Sequence, residues 1–238
     1  MIYRTDRSPS VTNNNEDIEF QVIDWYTLDT IPEISEDSNG SEPKNTKLQY
    51  KSDEYYYDIK AFGVLEDGQS ISATITKYTP YFYVEVPDNW EKRDRIRFVD
   101  FLKSKVKQSF KETCIKHTFE YREKFIGFTN HKQFKFVRLV FNHSRGMQSW
   151  VNVLSKKIRI PGLAPDKKYF PLYESNLDPL LRFGHIRNIG MAGWIKIPSK
   201  KYTVNNPTTT TCNVDIEARW SYVCKSDKSN ISQIVQLL

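Results

Sequence analysis

Asp215 and Glu217 are the residues whose types and spacing come closest to a catalytic pattern. Two carboxylates one residue apart on a strand are how a two-metal nuclease site often begins. The surrounding segment VDIEARW, residues 214–220, alternates apolar and polar side chains, which favours an amphipathic strand with one solvated face. Only Asp227 follows as a further carboxylate. We therefore predict no catalytic residue here and no metal site.

The three cysteines and four histidines of the chain also lack a metal-binding spacing. Cys114 and His117 form the only close pair, and no second pair follows at a distance typical of zinc sites. An odd number of scattered cysteines is typical of reduced thiols, so we expect an intracellular, reducing compartment. Nothing in the sequence indicates a nucleophile with its base, a glycine-rich phosphate loop, a signal peptide or a membrane span.

Aromatic and basic residues interleave in the segment FKFVR, residues 134–138. Such interleaving can build a stacking platform for single-stranded bases. The alternative is an ordinary strand with Phe134 and Phe136 in the core. We favour the core for these rings, which leaves Lys132, Lys135 and Arg138 on the opposite face as candidate nucleic-acid contacts.

The distribution of charge agrees with a polyanionic partner. The net charge is +6, but residues 1–50 carry 4 Lys/Arg against 10 Asp/Glu, so residues 51–238 carry 31 against 19. Residues 91–150 alone hold 15 basic and 6 acidic residues. This excess would attract nucleic acid through counterion release, and the alternative is a solvated basic helix face.

The order of predicted elements favours an α+β fold. We expect a disordered tail over residues 1–16, a strand over 18–26 and a flexible loop over 31–47. Three strands are predicted between residues 55 and 86, with the Asp67-Gly68 pair marking a hairpin. Two further strands are predicted over 115–128 and 133–142.

Helices are predicted where apolar residues recur at the spacing of a helix. One helix begins at the capping pair Asp88 and Glu91, and a second includes residues 147–154 and ends before Pro161-Gly162. A third is capped by Ser175 and Asp178. The expected apolar positions of the first two helices are Ile96, Val99, Leu102, Val106 and Phe110, then Met147, Trp150, Val151 and Leu154. The result is an antiparallel sheet with helices packed on it.

Three segments resemble family B DNA polymerases of the eukaryotic delta type and of large DNA viruses, especially the giant viruses of amoebae. They are TKYTPYFYVEVP at residues 76–87, KFIGFTNHKQFKFVRLVF at 124–141, and YESNLDPLLRFGHIRNIGMAGWIKIP at 173–198. The third is similar to the Glu-Ser-Asn, Arg-Phe and Gly-x-x-Trp signature that precedes the exonuclease core of the family. It adds Arg182 to the candidate nucleic-acid contacts.

The resemblance implies a non-catalytic part of a polymerase. In relatives the exonuclease carboxylates and the palm aspartates lie beyond the region that this chain matches. We therefore expect residues 17–172 to form an amino-terminal domain and residues 173–238 an incomplete lead-in to the exonuclease domain. This part would hold no cofactor, and magnesium is expected for the complete polymerase.

The implied partners are template DNA and the remaining catalytic portion of the polymerase, with no membrane involved. The viral resemblance implies a replication site in the host cytoplasm. Two alternatives stay open. One is a stand-alone nucleic-acid-binding accessory protein descended from such a domain, and the other, the least favoured, is an independent nuclease that uses Asp215 and Glu217.

Overall fold

The computed structural model describes residues 11, 13–30, 56–124 and 129–230. The loop predicted over 31–47 lies outside these residues, as do residues 1–10 and 12 of the tail predicted over 1–16. The chain forms two compact units. The first takes in the described residues up to Leu28, then Tyr57–Tyr78 and those from Asp178 on. The second takes in the described residues of 29–56 and of 79–177. We call them the seven-stranded unit and the four-stranded unit, after their largest sheets.

The elements of the described residues are as follows, in chain order. The strands are β1 (Ile18–Thr30), β2 (Tyr56–Leu65), β3 (Ser70–Tyr78), β4 (Tyr81–Glu85), β5 (Cys114–Arg122), β6 (Phe134–Phe141), β7 (Ile158–Ile160), β8 (Ala164–Lys168), β9 (Leu172–Tyr173), β10 (Trp194–Ile197), β11 (Tyr202–Val204), β12 (Val214–Arg219) and β13 (Cys224–Lys225). The helices are α1 (Lys92–Lys105), α2 (Ser144–Leu154) and α3 (Pro179–Arg187). Short 3-10 segments cover Gln108–Thr113 and Trp220–Tyr222. None of the helices in this part of the chain is long and apolar enough to cross a membrane.

The seven-stranded unit is built on a sheet in the order β11-β12-β3-β2-β1-β10-β13. Its hairpin β2–β3 turns at Gly68, whose φ of 84° suits glycine, so the predicted Asp67-Gly68 turn is confirmed. Most pairings are antiparallel, but β12 runs parallel to β3. The sheet packs its apolar face around Phe20, Ile75 and Phe183, all fully buried.

Helix α3 packs on that core through the ring of Phe183. Asp178 caps it, because its Oδ1 accepts a hydrogen bond from the amide of Leu180 at 2.7 Å. The cap is one of the two predicted. Among the apolar residues of the helix, Phe183 is buried and Leu180 packs against the core, whereas Leu181 and Ile186 are exposed.

The four-stranded unit has the element order β4-α1-β5-β6-α2-β9 and the sheet order β5-β6-β4-β9. Every pairing in this sheet is antiparallel. This is the split β-α-β arrangement, in which two helices cover one face of a four-stranded sheet and leave the other face uncovered by helices. The hairpin β7–β8 is inserted between α2 and β9.

The helix-covered face is the core of the four-stranded unit. Helix α2 buries the four predicted residues Met147, Trp150, Val151 and Leu154, so that prediction is confirmed. The prediction for α1 was partly wrong. The helix begins after Glu91, whose amide donates to the Asp94 carboxylate at 2.8 Å, and Asp88 lies outside it. Phe98 is buried in place of Ile96, which is 41% exposed.

The predicted α+β class, an antiparallel sheet with helices packed on it, is confirmed. The proposed lead-in to an exonuclease-like domain stays a prediction. So does the division into residues 17–172 and 173–238, although the units group the chain differently. Strand β1 pairs with β10 and strand β3 pairs with β12, so the early strands complete a sheet with the late ones.

Candidate nucleic-acid interface

The helix-free face of the four-stranded sheet is set by the register between β4 and β6. Tyr83 lies opposite Arg138, and Glu85 lies opposite Phe136. Because side chains alternate along a strand, these residues share one face, while Val84 and its partner Val137 point to the helices. We call the first face the open face.

A row of aromatic rings runs across the open face. The ring centroids of Tyr81 and Tyr83 are 5.6 Å apart, those of Tyr83 and Phe136 are 6.2 Å apart, and those of Phe136 and Tyr173 are 5.2 Å apart. All three pairs meet edge to face, which is a favourable aromatic geometry. Tyr83 and Phe136 are buried, whereas Tyr81 and Tyr173 are half-buried.

Two arginines lie over these rings. The guanidinium carbon of Arg138 is 3.9 Å from the centroid of Tyr81, and that of Arg122 is 5.5 Å from the centroid of Tyr83. Glu120 joins them, with Oε1 3.2 Å from Nη1 of Arg138 and Oε2 2.6 Å from Nη2 of Arg122. One carboxylate therefore pairs with two guanidinium groups and offsets one of their two charges.

Two lysines continue this cationic layer near Phe134. Lys124 Nζ lies 3.9 Å from the centroid of the Phe134 ring, and Lys132 Nζ lies 5.3 Å from it. Lys124 also pairs with Glu85 Oε1 at 2.7 Å, while the Tyr173 hydroxyl donates to Glu85 Oε2 at 3.1 Å. Counting Arg122, Arg138, Lys124 and Lys132 against Glu85 and Glu120, these six side chains carry a net charge of +2.

The pKa values of Tyr83 and Glu120 on the open face are shifted by burial and by neighbouring groups. Burial, with the neighbouring Tyr81 and Glu120, raises the pKa of Tyr83 to about 12, so its phenol is neutral at pH 7. Burial opposes ionisation of Glu120, but hydrogen bonds from Arg122 and Arg138 outweigh it and lower the pKa. The Glu120 carboxylate is therefore ionised near neutrality.

Two of the four predicted contacts, Lys132 and Arg138, lie at this face, and they stay predictions. Lys132 is exposed, and the Arg138 side chain is 31% exposed. The open face brings these two together with Arg122 and Lys124, which the sequence analysis did not select.

Lys135 lies on the other face, so the predicted grouping of Lys135 with Arg138 was wrong. Residues three apart on a strand point to opposite faces. Lys135 is 8% exposed, and its Nζ donates to the carbonyls of Asp88 at 2.9 Å and Trp90 at 2.6 Å. Its ammonium group therefore ties down the segment that leads into α1. Phe136, expected in the core, is buried but packs on the open face, and Phe134 is half-buried on that face.

Arg182 is buried in the seven-stranded unit. It lies on α3 and is only 4% exposed, so its guanidinium does not face solvent in this conformation. Arg182 therefore belongs to a different unit from the other three candidates. Its burial argues against a direct contact with DNA.

Asp215 forms part of the core polar structure of the seven-stranded unit. Its side chain is fully buried, whereas Glu217 is exposed, so the expectation of one shared solvated face was wrong for Asp215. Its Oδ1 accepts from Ser72 Oγ at 2.5 Å, and its Oδ2 accepts from the amide and hydroxyl of Thr209 at 2.7 and 2.6 Å. Groups of three or more potential metal ligands do not occur among the described residues.

Sequence reasoning missed most of the open face. Tyr81, Tyr83 and Glu85 alternate through β4, and this period-2 pattern could have placed them on one face. Tyr173 could not have been found in this way, because β9 has only two residues. Its position depends on pairing with β4, 90 residues earlier in the chain for the Tyr83–Tyr173 pair.

A solved polymerase shares the fold of this chain. A solved family B DNA polymerase, from the hyperthermophilic archaeon Pyrobaculum calidifontis, matches 89% of this chain with a TM-score of 0.56 and 12% identity. The match covers 21% of that polymerase. The chain therefore has the fold of a segment of a family B DNA polymerase, that of its amino-terminal region.

Sequence relatives narrow the identification. The DNA polymerase of Acanthamoeba polyphaga mimivirus is 28% identical over 93% of this chain, and that of Pyramimonas orientalis virus is 30% identical over 90%. The DNA polymerase delta catalytic subunit of Arabidopsis thaliana is 24% identical over 90%. No model of a known protein family matches.

The chain is thus homologous to the DNA polymerases of giant viruses and to delta catalytic subunits, which confirms the resemblance seen in its sequence. It spans 12%, 16% and 19% of the lengths of these three relatives.

Proposed function

We propose that this chain is the amino-terminal, non-catalytic region of a family B DNA polymerase and that the open face contacts single-stranded template DNA. The observation that carries the proposal is the layer of arginines over tyrosines on a four-stranded sheet. It combines the two elements that bind single strands without sequence preference, which are aromatic or guanidinium planes for bases and cations for phosphates.

The arrangement suits bases that stack on guanidinium groups. Tyr83 and Phe136 are too deeply buried to receive a base directly. Arg138 and Arg122 cover the ring row, and a guanidinium plane can itself stack with a base while its donors contact a phosphate. The rings then act as supports that hold the arginines in place.

The proposed phosphate contacts are Arg122, Lys124, Lys132 and Arg138. A phosphate that approaches Arg122 or Arg138 competes with Glu120 for the same donors. Binding should therefore be moderate and strongly dependent on salt, as is expected of a surface that guides a moving strand.

The remaining catalytic portion of the polymerase is the proposed protein partner. Residues 173–238 would lead into the exonuclease domain, and magnesium would serve the catalytic sites of that remaining portion. The giant-virus relatives make a viral replication site in the host cytoplasm the proposed location.

The proposal is tested by fluorescence anisotropy with the 238-residue chain and a labelled oligothymidylate of about 20 nucleotides, long enough for one binding surface. We expect binding that weakens steeply between low and physiological salt. The double variant Arg122→Ala with Arg138→Ala should bind more weakly than the double variant Lys92→Ala with Arg97→Ala, which removes two exposed cations of α1. Equal affinity of the two double variants, or no binding at low salt, would contradict the proposal.

A further inference from the structure

A groove of about 700 Å³ lies on the four-stranded unit, away from the open face. It is bordered by the end of α1, the end of α2 and the hairpin β7–β8. It is therefore built entirely from residues of the helix-covered side.

The rim of this groove is cationic. Five basic side chains line it, and no carboxylate does among the described residues: Lys105, Lys156, Lys157, Arg159 and Lys167. None of the ion pairs found in the described part of the chain involves these five. Like charges held this close repel one another, so an anionic occupant would relieve the repulsion.

The floor of the groove is apolar. Phe101, Val153 and Ile158 are half-buried residues at the edge of the core, and Pro161 lies beside them. An occupant that offers only negative charge would leave this floor exposed to water. The floor and rim together fit a ligand with both apolar and acidic groups.

The aromatic rings at the groove argue against bases as that ligand. Lys105 Nζ lies 5.3 Å from the centroid of Phe101, and Lys157 Nζ lies 5.4 Å from that of the exposed Tyr169. Each ring thus already has an ammonium group over its face. A base that stacked on either ring would have to displace a cation–π contact.

We propose that this groove is a docking site for an acidic, amphipathic peptide segment of a partner protein. Its apolar side chains would pack on the floor formed by Phe101, Val153, Ile158 and Pro161. Its carboxylates would pair with the cations of the rim. The site is independent of the proposed DNA contacts, because it shares no residue with the open face.

The test uses the complete 238-residue chain and a fluorescein-labelled helical peptide with Leu on one face and Glu on the other. A peptide with the same number of Glu residues and Ser in place of Leu is the charge control. We expect the Leu/Glu peptide to bind at least about fivefold more tightly than the Ser/Glu peptide, because the apolar floor contributes roughly 1 kcal/mol or more.

Charge reversal at the rim provides the matched variants. Lys156→Glu with Lys157→Glu should weaken peptide binding about tenfold or more, a change of roughly 1.4 kcal/mol or more. Lys92→Glu with Lys116→Glu changes the net charge equally at exposed positions outside the groove and should leave the affinity within about twofold. Thermal unfolding of both variants confirms that they are folded.

Three outcomes would overturn the proposal. The first is equal weakening by the two double variants, which would mean a general charge effect. The second is equal binding of the Leu and Ser peptides, which would exclude a role for the floor. The third is a loss of affinity for oligothymidylate, with unchanged affinity for the peptide, in the variant Lys156→Glu with Lys157→Glu. That result would make the groove a nucleic-acid site.

Discussion

The guanidinium of Arg138 lies 3.9 Å above the centre of the Tyr81 ring, and its Nη1 atom lies 3.2 Å from Glu120. The ring fixes the plane of the guanidinium, and the carboxylate fixes its direction. We propose that this pairing preorganises Arg138 for contact with a base and a phosphate.

Substitutions of Arg138 can distinguish the contribution of its charge to DNA binding from that of its planar guanidinium group. Arg138→Ala should weaken binding of the chain to oligothymidylate by about 1 to 2 kcal/mol, and Arg138→Lys should recover only part of the loss, because lysine cannot stack. Arg97→Ala is the control for an exposed arginine on α1. Full recovery by Arg138→Lys, measured by anisotropy, would show that charge alone matters.

Glu120→Gln should strengthen the binding of single-stranded DNA. The substitution keeps the size of the side chain but removes the carboxylate that competes with phosphate for Arg122 and Arg138. An affinity gain of about threefold to tenfold is expected at low salt. Glu112→Gln, which breaks the exposed pair with Lys103, should have a smaller effect. A loss of affinity in Glu120→Gln would indicate that orientation of the arginines outweighs this competition.

Lys135→Met should destabilise the four-stranded unit without a comparable effect on DNA binding. Lys135 is buried, and its loss leaves the carbonyls of Asp88 and Trp90 without this donor. A cost of about 2 to 4 kcal/mol is expected in urea unfolding, since each buried unsatisfied group costs about 1 to 3 kcal/mol. Lys132→Met, at an exposed position, should show the reverse pattern. If both variants were fully folded and lost the same DNA affinity, the structural role assigned to Lys135 would be contradicted.

Asp58 should make the chain less stable as the pH rises. Burial, with the nearby Glu217, raises the pKa of Asp58 to about 6, above its ordinary value of 3.8. The folded state then holds a proton that the unfolded state has lost, so stability falls between about pH 4 and 6 and stays lower above that range. Asp58→Asn should remove this dependence and raise stability at pH 8 by up to about 3 kcal/mol.

Urea unfolding of wild-type chain and Asp58→Asn at pH 4.5 and pH 8 tests this sign. A variant that lost stability at pH 8 would show that the ionised carboxylate is needed, for example by the backbone amide of Lys77.

Asp215 should show the opposite dependence. Burial disfavours its ionised form, but hydrogen bonds from Ser72 and Thr209 outweigh burial and lower the pKa. Its contribution is therefore present above the unfolded value of about 3.9 and is lost as the pH falls through the lower folded value. Asp215→Asn should cost about 1 to 3 kcal/mol at pH 7 and less in acid, as measured by urea unfolding. An equal cost at both pH values would exclude this linkage.

Local patterns predicted several elements of the chain, although not the short strands β7, β8, β9, β11 and β13. The Asp67-Gly68 hairpin, the apolar face of α2 and the Asp178 cap each depend on a few neighbouring residues, and each is observed. The burial of Phe98 on α1 was not predicted, because Phe98 and Ile96 are both apolar residues of that helix. Packing against Trp90 and Phe170 selects Phe98.

The faces of β6 could not be assigned from the sequence alone. Apolar residues occupy both faces, since Phe136 packs with tyrosines on one side and Val137 packs with the helices on the other. The burial of Lys135 depends on carbonyls 47 and 45 positions away in the chain. Such contacts leave no local signal, whereas the alternation of the strand does require Lys135 and Arg138 to lie on opposite faces.

The central claim is that single-stranded DNA lies on the open face of the four-stranded sheet, and site-specific photo-crosslinking tests it most directly. The photoreactive residue p-benzoylphenylalanine would replace Tyr81 in one variant and the exposed Tyr169 in another, and each would be irradiated with labelled oligothymidylate. We predict a strong crosslink from position 81 and little from position 169. A crosslink from position 169 alone, or equal yields from both positions, would contradict the account.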